Sequence, residues 1–264
     1  MVATEDVSVS TTSTGSSGRF SATRGAVAPE SVGTLPTIEV MARETPTAAV
    51  QDYLKAIYRV EEDSGRLWVS TSEVAVSLGV SAPSSSAMLK RLSGLGYVVA
   101  GERRGAFALT SDGRASALEV VRRHRLLETF LVQHLGVPLA EVHHEAEVLE
   151  HHISHALELR IADVLGNPDR DPHGDPIPTQ AGDVDDVPAT TLADLNVNDH
   201  GVVHRVGDRD PSLLQSLERS GIVPGVHLCM VAHDRHGSLR VRVGDDEVRV
   251  PVAAAQAVRV SPVE

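Results

Sequence analysis

The sequence predicts a mainly α-helical chain with additional β structure: an N-terminal winged helix-turn-helix, a helical dimerisation domain, and a C-terminal small β-barrel of the Src-homology-3-like kind. Three observations lead to this class. Apolar residues recur at helical spacing between about residues 50 and 165. A glycine-punctuated pair of short helices is followed at once by a basic hairpin. Beyond about residue 200, five short segments alternate apolar and polar residues.

We divide the chain into five parts. Residues 1–45 are predicted to be a disordered tail, 46–115 a winged helix-turn-helix, 116–180 a helical dimerisation and metal-binding domain, 181–188 a linker and 189–264 the small β-barrel. The tail is rich in Ser, Thr, Gly, Ala and Pro and has little apolar periodicity. Such a composition cannot bury enough surface to offset the chain entropy lost on folding.

The winged helix-turn-helix begins with an amphipathic helix over residues 50–60. Ser70-Thr-Ser-Glu73 has the spacing of a capping box and predicts a short helix that Gly79 ends. Pro83 suits the first turn of the next helix, where its missing N–H does no harm. Apolar segments on both sides of residues 101–105 then predict a hairpin with a basic tip. This order of elements is typical of DNA-binding domains.

The third helix is the predicted recognition helix, over about residues 82–95. Serines in its first turn suit phosphates or several base edges, and basic side chains suit phosphates. The alternative for these serines is the ordinary polarity of a helix start. The candidate DNA contacts are Ser81, Pro83, Ser84, Ser85, Ser86, Lys90, Arg91, Arg103 and Arg104. The net charge of the chain is −12, but residues 81–125 contain eight basic and three acidic side chains, which favours an anionic partner.

Two long helices are predicted next, over residues 111–135 and about 139–165. After a winged helix, such helices usually serve dimerisation, which reading paired half-sites requires. The Pro-, Gly- and Asp-rich stretch at residues 167–188 indicates a linker. The five predicted strands are residues 202–206, 226–231, 239–243, 247–250 and 257–260.

Histidine and acidic residues cluster between residues 124 and 155, where seven of the thirteen histidines lie. On a helix, Glu147, Glu150 and His151 share one face, so three ligands can converge on one ion. His124 and Glu128 are likewise one turn apart. Residues 127–190 contain thirteen acidic side chains against two arginines, which suits cations. The alternative is a solvated polar helix face.

The sequence offers no catalytic motif. A zinc-protease helix needs His-Glu-x-x-His or its inverted form, and neither His144-Glu145 nor Glu150-His151 completes one. We therefore expect no enzyme and no small organic substrate, although a metal-binding enzyme or metallochaperone remains an alternative. The single cysteine and the absence of an apolar run of about 18 residues predict a cytoplasmic chain that does not span a membrane.

Four segments of the sequence resemble the diphtheria toxin repressor family of iron- and manganese-dependent regulators, and specifically its manganese transport regulator branch. These are Asp52-Tyr-Leu-Lys-Ala-Ile-Tyr58, Arg122-Arg-His-Arg-Leu-Leu-Glu-Thr-Phe-Leu131, Glu141-Val-His-His-Glu-Ala-Glu-Val-Leu-Glu-His151 and Asp171-Pro-His-Gly-Asp-Pro-Ile-Pro178. The resemblance covers residues 47–180 well. It extends more loosely into the barrel through Ser212-Leu-Leu-Gln-Ser-Leu217 and Gly221-Ile-Val-Pro224.

The resemblance implies two metal sites per subunit. The primary site would consist of Asp52, Glu147, Glu150 and His151. The ancillary site would consist of His124, Glu128 and His143, with a ligand from the barrel at Asp208, or next at Asp210. Arg205 also lies at a family ligand position but cannot bind a metal.

Asp52 and Glu147 stand where the iron-type members carry a Met and a Cys. Hard carboxylate oxygen in place of soft sulfur favours Mn(II), with Fe(II) as the alternative. Lys55 stands where some short manganese regulators carry a further Glu ligand, so two separate ions are expected rather than a close pair. The resemblance thus implies a metal-activated repressor that binds double-stranded operator DNA as a homodimer and controls metal-uptake genes. A winged-helix regulator that senses something else remains the alternative.

Overall fold

The computed structural model describes residues 46–103, 105–234 and 237–263. The tail predicted for residues 1–45 and the DNA contact predicted at Arg104 lie outside them. Buried apolar side chains form three clusters, one in the DNA-binding part, one around the long central helix and one in the C-terminal β domain. The predicted fold class is confirmed.

The N-terminal part is a winged helix-turn-helix. Ser70 and Glu73 form the predicted capping box, in which Ser70 Oγ accepts from Glu73 N at 3.2 Å and Glu73 Oε2 accepts from Ser70 N at 2.7 Å. A two-residue strand, too short to show periodicity in the sequence, adds a third strand to the predicted hairpin, in the order β1-β3-β2. The elements are α1 Ala48–Ser64, β1 Val69–Ser70, α2 Thr71–Ser77, α3 Ala82–Gly94, β2 Val98–Ala100 and β3 Ala106–Leu109.

The central part contains the long predicted helix, α4 Ser111–Leu135. The second predicted helix is wrong as one element, because the chain forms α5 Val142–Leu149 and α6 His155–Val164 instead. Ser154 accounts for the break: its side chain accepts from Leu157 N at 3.2 Å and so caps a new helix. Consequently Glu150 and His151 lie where α5 ends, not inside a continuous helix.

The stretch after α6 corrects the linker prediction for residues 167–178. Asp171, His173 and Asp175 are buried there, and Ile177 belongs to the apolar cluster around α4. Asp171 Oδ1 accepts from the backbone N of both His173 and Asp175 at 2.9 Å. The Pro- and Gly-rich composition therefore reflects tight turns packed against the helices.

Gly174 lets this stretch lie directly against the β domain. Its φ is +90°, and a Cβ there would lie 1.9 Å from the carbonyl oxygen of His204. Val206 N donates to His173 O at 2.8 Å, and Arg205 Nε lies 2.7 Å from Asp175 Oδ1. The β domain is thus joined to the helical domain by backbone contact and by charge.

The C-terminal domain contains all five predicted strands in one antiparallel sheet, in which the fourth, third, second, first and fifth strands along the domain lie side by side in that order. Two short helices pack with the sheet around a core of Leu, Val and Ile side chains and Met230. The elements are β4 His200–Val206, α7 Pro211–Arg219, β5 His227–Asp234, β6 Ser238–Val243, β7 Asp246–Pro251, α8 Val252–Gln256 and β8 Val258–Val263. None of the helices described is both long and apolar enough to cross a membrane.

Candidate metal centre and nucleic-acid interface

Side chains from two domains converge beside α1. Asp52 Oδ1 lies 2.8 Å from His151 Nε2, which in turn lies 3.3 Å from Glu150 Oε1. Ligand atoms of these three residues all lie within 4.8 Å of one another. Glu147 lines the same cleft, of about 390 Å³. The structure therefore brings together the residues predicted for the primary site, and we call this group the primary cluster.

Gln51 orients the histidine of the primary cluster. Its Oε1 lies 2.7 Å from His151 Nδ1, and the side chain is buried. A proton on Nδ1 that is donated to this oxygen leaves the Nε2 lone pair available for a metal. Sequence reasoning missed Gln51, because a glutamine beside Asp52 has no ligand signature of its own.

Lys55 places a positive charge inside the primary cluster. Its Nζ lies 2.6 Å from Glu150 Oε1 and 3.3 Å from Glu147 Oε1, and its side chain is buried. Burial alone would raise the pKa of Glu150, but the hydrogen bond from His124 and the charge of Lys55 together lower it. The pKa of Glu147 lies well below its usual range, chiefly because of a hydrogen bond from His143.

A second group, the ancillary cluster, lies between α4, α5 and the β domain. Glu128 Oε1 is 2.9 Å from His124 Nε2 and 3.0 Å from His143 Nδ1. Asp208, which follows β4, brings its Oδ2 to 3.3 Å from His143 Nδ1. Burial would lower the pKa of His143, but hydrogen bonds to Glu128 and Glu147 outweigh it and raise this pKa to about 9.

The two clusters share a direct hydrogen bond that the sequence did not predict. Glu150 Oε2 lies 2.5 Å from His124 Nδ1, and both side chains are fully buried. Arg59, one turn after Lys55, lies 3.3 Å from His124 Nε2 and 3.5 Å from Asp208 Oδ2. Each cluster thus contains a basic side chain of α1.

The donor atoms of both clusters fit a divalent metal ion. Carboxylate oxygen and imidazole nitrogen are ligands that Mn²⁺, Fe²⁺ and Zn²⁺ all accept. The carboxylates of each cluster already contact a positive charge, the ammonium of Lys55 in the primary cluster and the guanidinium of Arg59 in the ancillary cluster. Both clusters can therefore accommodate a cation.

The predicted DNA contacts lie at the start of α3, along α3 and on the β2–β3 hairpin. Ser81 caps α3 by accepting from Ser84 N at 3.3 Å. Ser81, Pro83, Ser84, Lys90, Arg91 and Arg103 are exposed, and Ser86 is partly exposed. These seven residues are therefore accessible to a nucleic acid. That they contact DNA stays a prediction.

Known proteins resemble the chain along most of its described length. The family model described as "Iron dependent repressor, N-terminal DNA binding domain" matches residues 46–106, "Iron dependent repressor, metal binding and dimerisation domain" matches 110–179, and "FeoA domain" matches 190–262. The iron-dependent repressor IdeR of Mycobacterium tuberculosis is 34% identical over 226 residues, covering 80% of this chain and 96% of that protein. The chain belongs to the iron-dependent repressor family.

Manganese-dependent relatives match as well. The HTH-type transcriptional regulator MntR of Geobacillus thermodenitrificans is 34% identical over 120 residues, covering 46% of this chain and 82% of that protein. A solved structure entitled "Manganese-dependent transcriptional repressor complex with manganese" has a TM-score of 0.76 and 43% identity, covering 81% of this chain and all of that one. These matches confirm the resemblance to the family and support its manganese branch.

As a member of the iron-dependent repressor family, the chain is a metal-dependent transcriptional repressor and not an enzyme. Its matches to a DNA-binding domain and to a dimerisation domain make DNA and a second copy of the chain its partners. The ligands and the bases contacted remain predictions at the level of single residues.

Two predicted site residues have other roles in this member of the family. Asp210 caps α7, since its Oδ1 accepts from Ser212 N at 2.9 Å and from Leu213 N at 3.2 Å. Ser85 is fully buried and donates its hydroxyl to Thr71 O at 3.2 Å. Ser85 is therefore not accessible to DNA in this structure, and Asp208, not Asp210, is the β-domain aspartate that contacts the ancillary cluster.

Some of the basic side chains in residues 81–125 form ion pairs within the protein. Arg122 Nε lies 3.0 Å from Glu158, Arg125 Nη2 lies 3.0 Å from Glu62, and Arg114 pairs with Glu61. These three arginines hold helices together instead of facing phosphates. The exposed positive charge near α3 is smaller than the sequence count indicates.

Proposed function

We propose that the chain is a Mn(II)-activated repressor that binds operator DNA as a homodimer in the cytoplasm and controls metal-uptake genes. The observation that carries this proposal is the primary cluster, in which Asp52 of the DNA-binding domain meets Glu150 and His151 of the dimerisation domain. The proposed ligands are Asp52, Glu147, Glu150 and His151 in the primary cluster and His124, Glu128, His143 and Asp208 in the ancillary cluster.

The preference for manganese rests on the donor atoms. The primary cluster contains the carboxylates Asp52, Glu147 and Glu150 and one imidazole, and these residues contribute no sulfur. Hard oxygen donors suit Mn²⁺, whereas thiolate and thioether select softer metals. A solved relative whose title names manganese supports the same choice. Fe(II) is the alternative, since other relatives are named iron-dependent.

The cluster residues would control the angle between the two domains. Asp52 lies on α1, which packs against the DNA-reading helices, while Glu150 and His151 lie at the end of α5. Three carboxylates in one cleft repel one another, and in the metal-free chain the single ammonium of Lys55 offsets only part of this repulsion. A bound divalent ion supplies the positive charge that offsets this repulsion. With the angle fixed, the two α3 helices of a dimer keep one separation, as paired major-groove half-sites require.

Asp208 would extend this control to the third domain. It follows β4 and lies 3.3 Å from His143, so the ancillary cluster contains side chains of both the helical and the β domain.

The helical domain has exposed apolar side chains that could contact a second subunit. These are Leu135 on α4 and Leu157 and Val164 on α6. We propose this surface as part of the contact between the two subunits.

The test is Asp52→Ala with Glu145→Ala, an exposed residue of α5 outside both clusters, as the control. Mn²⁺, Fe²⁺ and Zn²⁺ are titrated into chelator-stripped protein with DNA from upstream of a manganese-uptake operon, at fixed salt. We expect Mn²⁺ to promote binding by the wild type and by Glu145→Ala. Asp52→Ala should be folded and should lose about tenfold or more of the metal response.

Two results would count against the proposal. Full Mn²⁺ response by Asp52→Ala would remove the primary cluster from the mechanism. Equal responses to Fe²⁺ and Mn²⁺ would keep the repressor and reject the manganese preference.

A further inference from the structure

We propose that Lys55 is a tethered competitor for the primary metal site, and that its ammonium group sets the metal concentration at which the repressor responds. This inference rests on the proposed function, because it takes Glu150 as a metal ligand. It concerns a residue that has no ligand chemistry itself, since an ammonium is a donor without an acceptor.

The ammonium group of Lys55 contacts two of the proposed metal ligands, Glu150 and Glu147. Nζ lies 2.6 Å from Glu150 Oε1 and 3.3 Å from Glu147 Oε1. The Lys55 side chain is 7% exposed and that of Glu150 is fully buried. A charge-assisted hydrogen bond of this length, shielded from water, is among the stronger polar contacts in proteins.

The second carboxylate oxygen of Glu150 is already hydrogen-bonded. Its Oε2 lies 2.5 Å from His124 Nδ1, whereas its Oε1 lies 3.3 Å from His151 Nε2 in the primary cluster. Divalent metal–oxygen bonds are about 2.0–2.2 Å long for ions such as Mg²⁺ and Zn²⁺. An ammonium 2.6 Å from the same atom takes up one of its lone pairs, and a metal bound to that atom would lie within about 5 Å of this positive charge and be repelled by it. Lys55 therefore competes with a metal for Glu150 Oε1, and its release of that oxygen favours metal binding.

The side chain is suited to such a release. A lysine stem has four carbons and rotates freely, so Nζ can leave the cleft while α1 stays in place. The cleft also opens to solvent, because the side chains of Asp52 and Glu147 are 42% and 46% exposed. While it is bound, the ammonium offsets the repulsion among three carboxylates. Lys55 thus stabilises the metal-free chain and weakens its apparent affinity for metal at the same time.

The sequence provides a matched control for this proposal. Lys55 and Lys90 are the two lysines of the chain, and Lys90 is exposed on α3, away from both clusters. Lys55→Met keeps the length of the side chain and removes its charge, and Lys90→Met makes the same change elsewhere. Lys55→Arg retains the charge, and Lys55→Gln is a second neutral variant should the methionine variant fold poorly.

The experiment measures Mn²⁺ binding to chelator-stripped full-length protein by calorimetry, together with the unfolding temperature of the metal-free protein. Lys55→Met should bind Mn²⁺ at the primary site about tenfold or more tightly than the wild type, because a charge-assisted hydrogen bond no longer competes. Its metal-free form should unfold at a lower temperature. Lys55→Gln should also bind more tightly, while Lys55→Arg and Lys90→Met should show no gain.

Unchanged or weaker Mn²⁺ binding by both neutral variants would overturn the proposal and make Lys55 a purely structural partner of Glu150. A gain in Lys90→Met equal to that in Lys55→Met would overturn it as well, because the effect would then be one of net charge. The proposed function fails separately: in that case the wild type itself shows no Mn²⁺ binding that Asp52→Ala removes.

Discussion

Neighbouring residues of one chemical type have opposite tasks in this repressor. Ser84 is exposed at the start of α3, whereas Ser85 is buried and bonded to Thr71 O. Asp208 faces His143 in the ancillary cluster, whereas Asp210 caps α7. Sequence position alone does not distinguish the members of each pair, because the choice depends on which side of a helix or loop meets another element.

The aspartate pair provides a direct prediction. Asp208→Ala should weaken Mn²⁺ binding at the ancillary site by about tenfold or more, and should weaken binding at the primary site less, because the carboxylate that is lost belongs to the ancillary cluster. Asp210→Ala should leave both binding isotherms unchanged and lower the free energy of unfolding by about 1 kcal/mol, as expected for a lost helix cap. Calorimetry and thermal unfolding measure both effects. Equal metal binding by Asp208→Ala and the wild type would exclude the β domain from the site.

Much of the candidate site is visible in the sequence, because ligand chemistry is restricted to few residue types. His124, Glu128, His143, Glu150 and His151 follow from helical spacing and from the family resemblance, and the structure brings them together in two clusters. The orienting residue Gln51 and the buried His173, whose Nδ1 lies 3.6 Å from Glu128, were not predicted. Gln51 and His173 have these roles only through contacts with residues distant in the sequence, which a linear pattern does not encode.

At the scale of elements, periodicity predicted the helices and strands well and their interruptions poorly. The break between α5 and α6 arises from one serine cap, and the packed turns at residues 167–178 have the composition of a linker. Both errors have the same physical origin. Composition and spacing report local preference, whereas burial against another element decides whether a turn is mobile or part of the core.

The contact between Gly174 and β4 leads to a prediction about stability. Gly174→Ala should lower the free energy of unfolding by about 2–4 kcal/mol, because the new Cβ meets the β4 backbone and the backbone is left-handed there. Gly166→Ala is the control, since its φ of +74° is similar and nothing lies within 4 Å of the added carbon. It should lose only about 1–2 kcal/mol. Chemical denaturation measures both, and equal losses would show that contact with β4 is unimportant.

Basic side chains occur in two different environments in the molecule. The net charge is −12, yet Lys90, Arg91 and Arg103 are exposed on the face predicted to read DNA. Buried arginines such as Arg122 and Arg125 join elements instead. We therefore expect association with DNA to depend on the exposed cations of this face, although the net charge of the chain is negative.

Salt dependence distinguishes the two kinds of arginine. Arg91→Ala should reduce the slope of log binding constant against log salt by about 0.9, the value for one lost phosphate contact. Arg122→Met should leave that slope unchanged and lower the free energy of unfolding by about 3 kcal/mol, because Glu158 loses its shortest ion pair and keeps only the longer contacts with Arg123 and His155. Fluorescence anisotropy at several salt concentrations tests the slopes. An unchanged slope for Arg91→Ala would remove that residue from the DNA interface.

The hydrogen bond between Glu150 and His124 has a consequence for how sharply the repressor responds. Each of these residues belongs to one cluster and contacts a residue of the other, so a movement of either side chain affects both clusters. Because coupling between binding equilibria is reciprocal, ordering at either cluster changes the affinity of the other by the same factor. If ordering one cluster also orders the other, occupancy will rise over a narrow range of metal concentration, and transcription will switch where independent sites would produce a gradual decline.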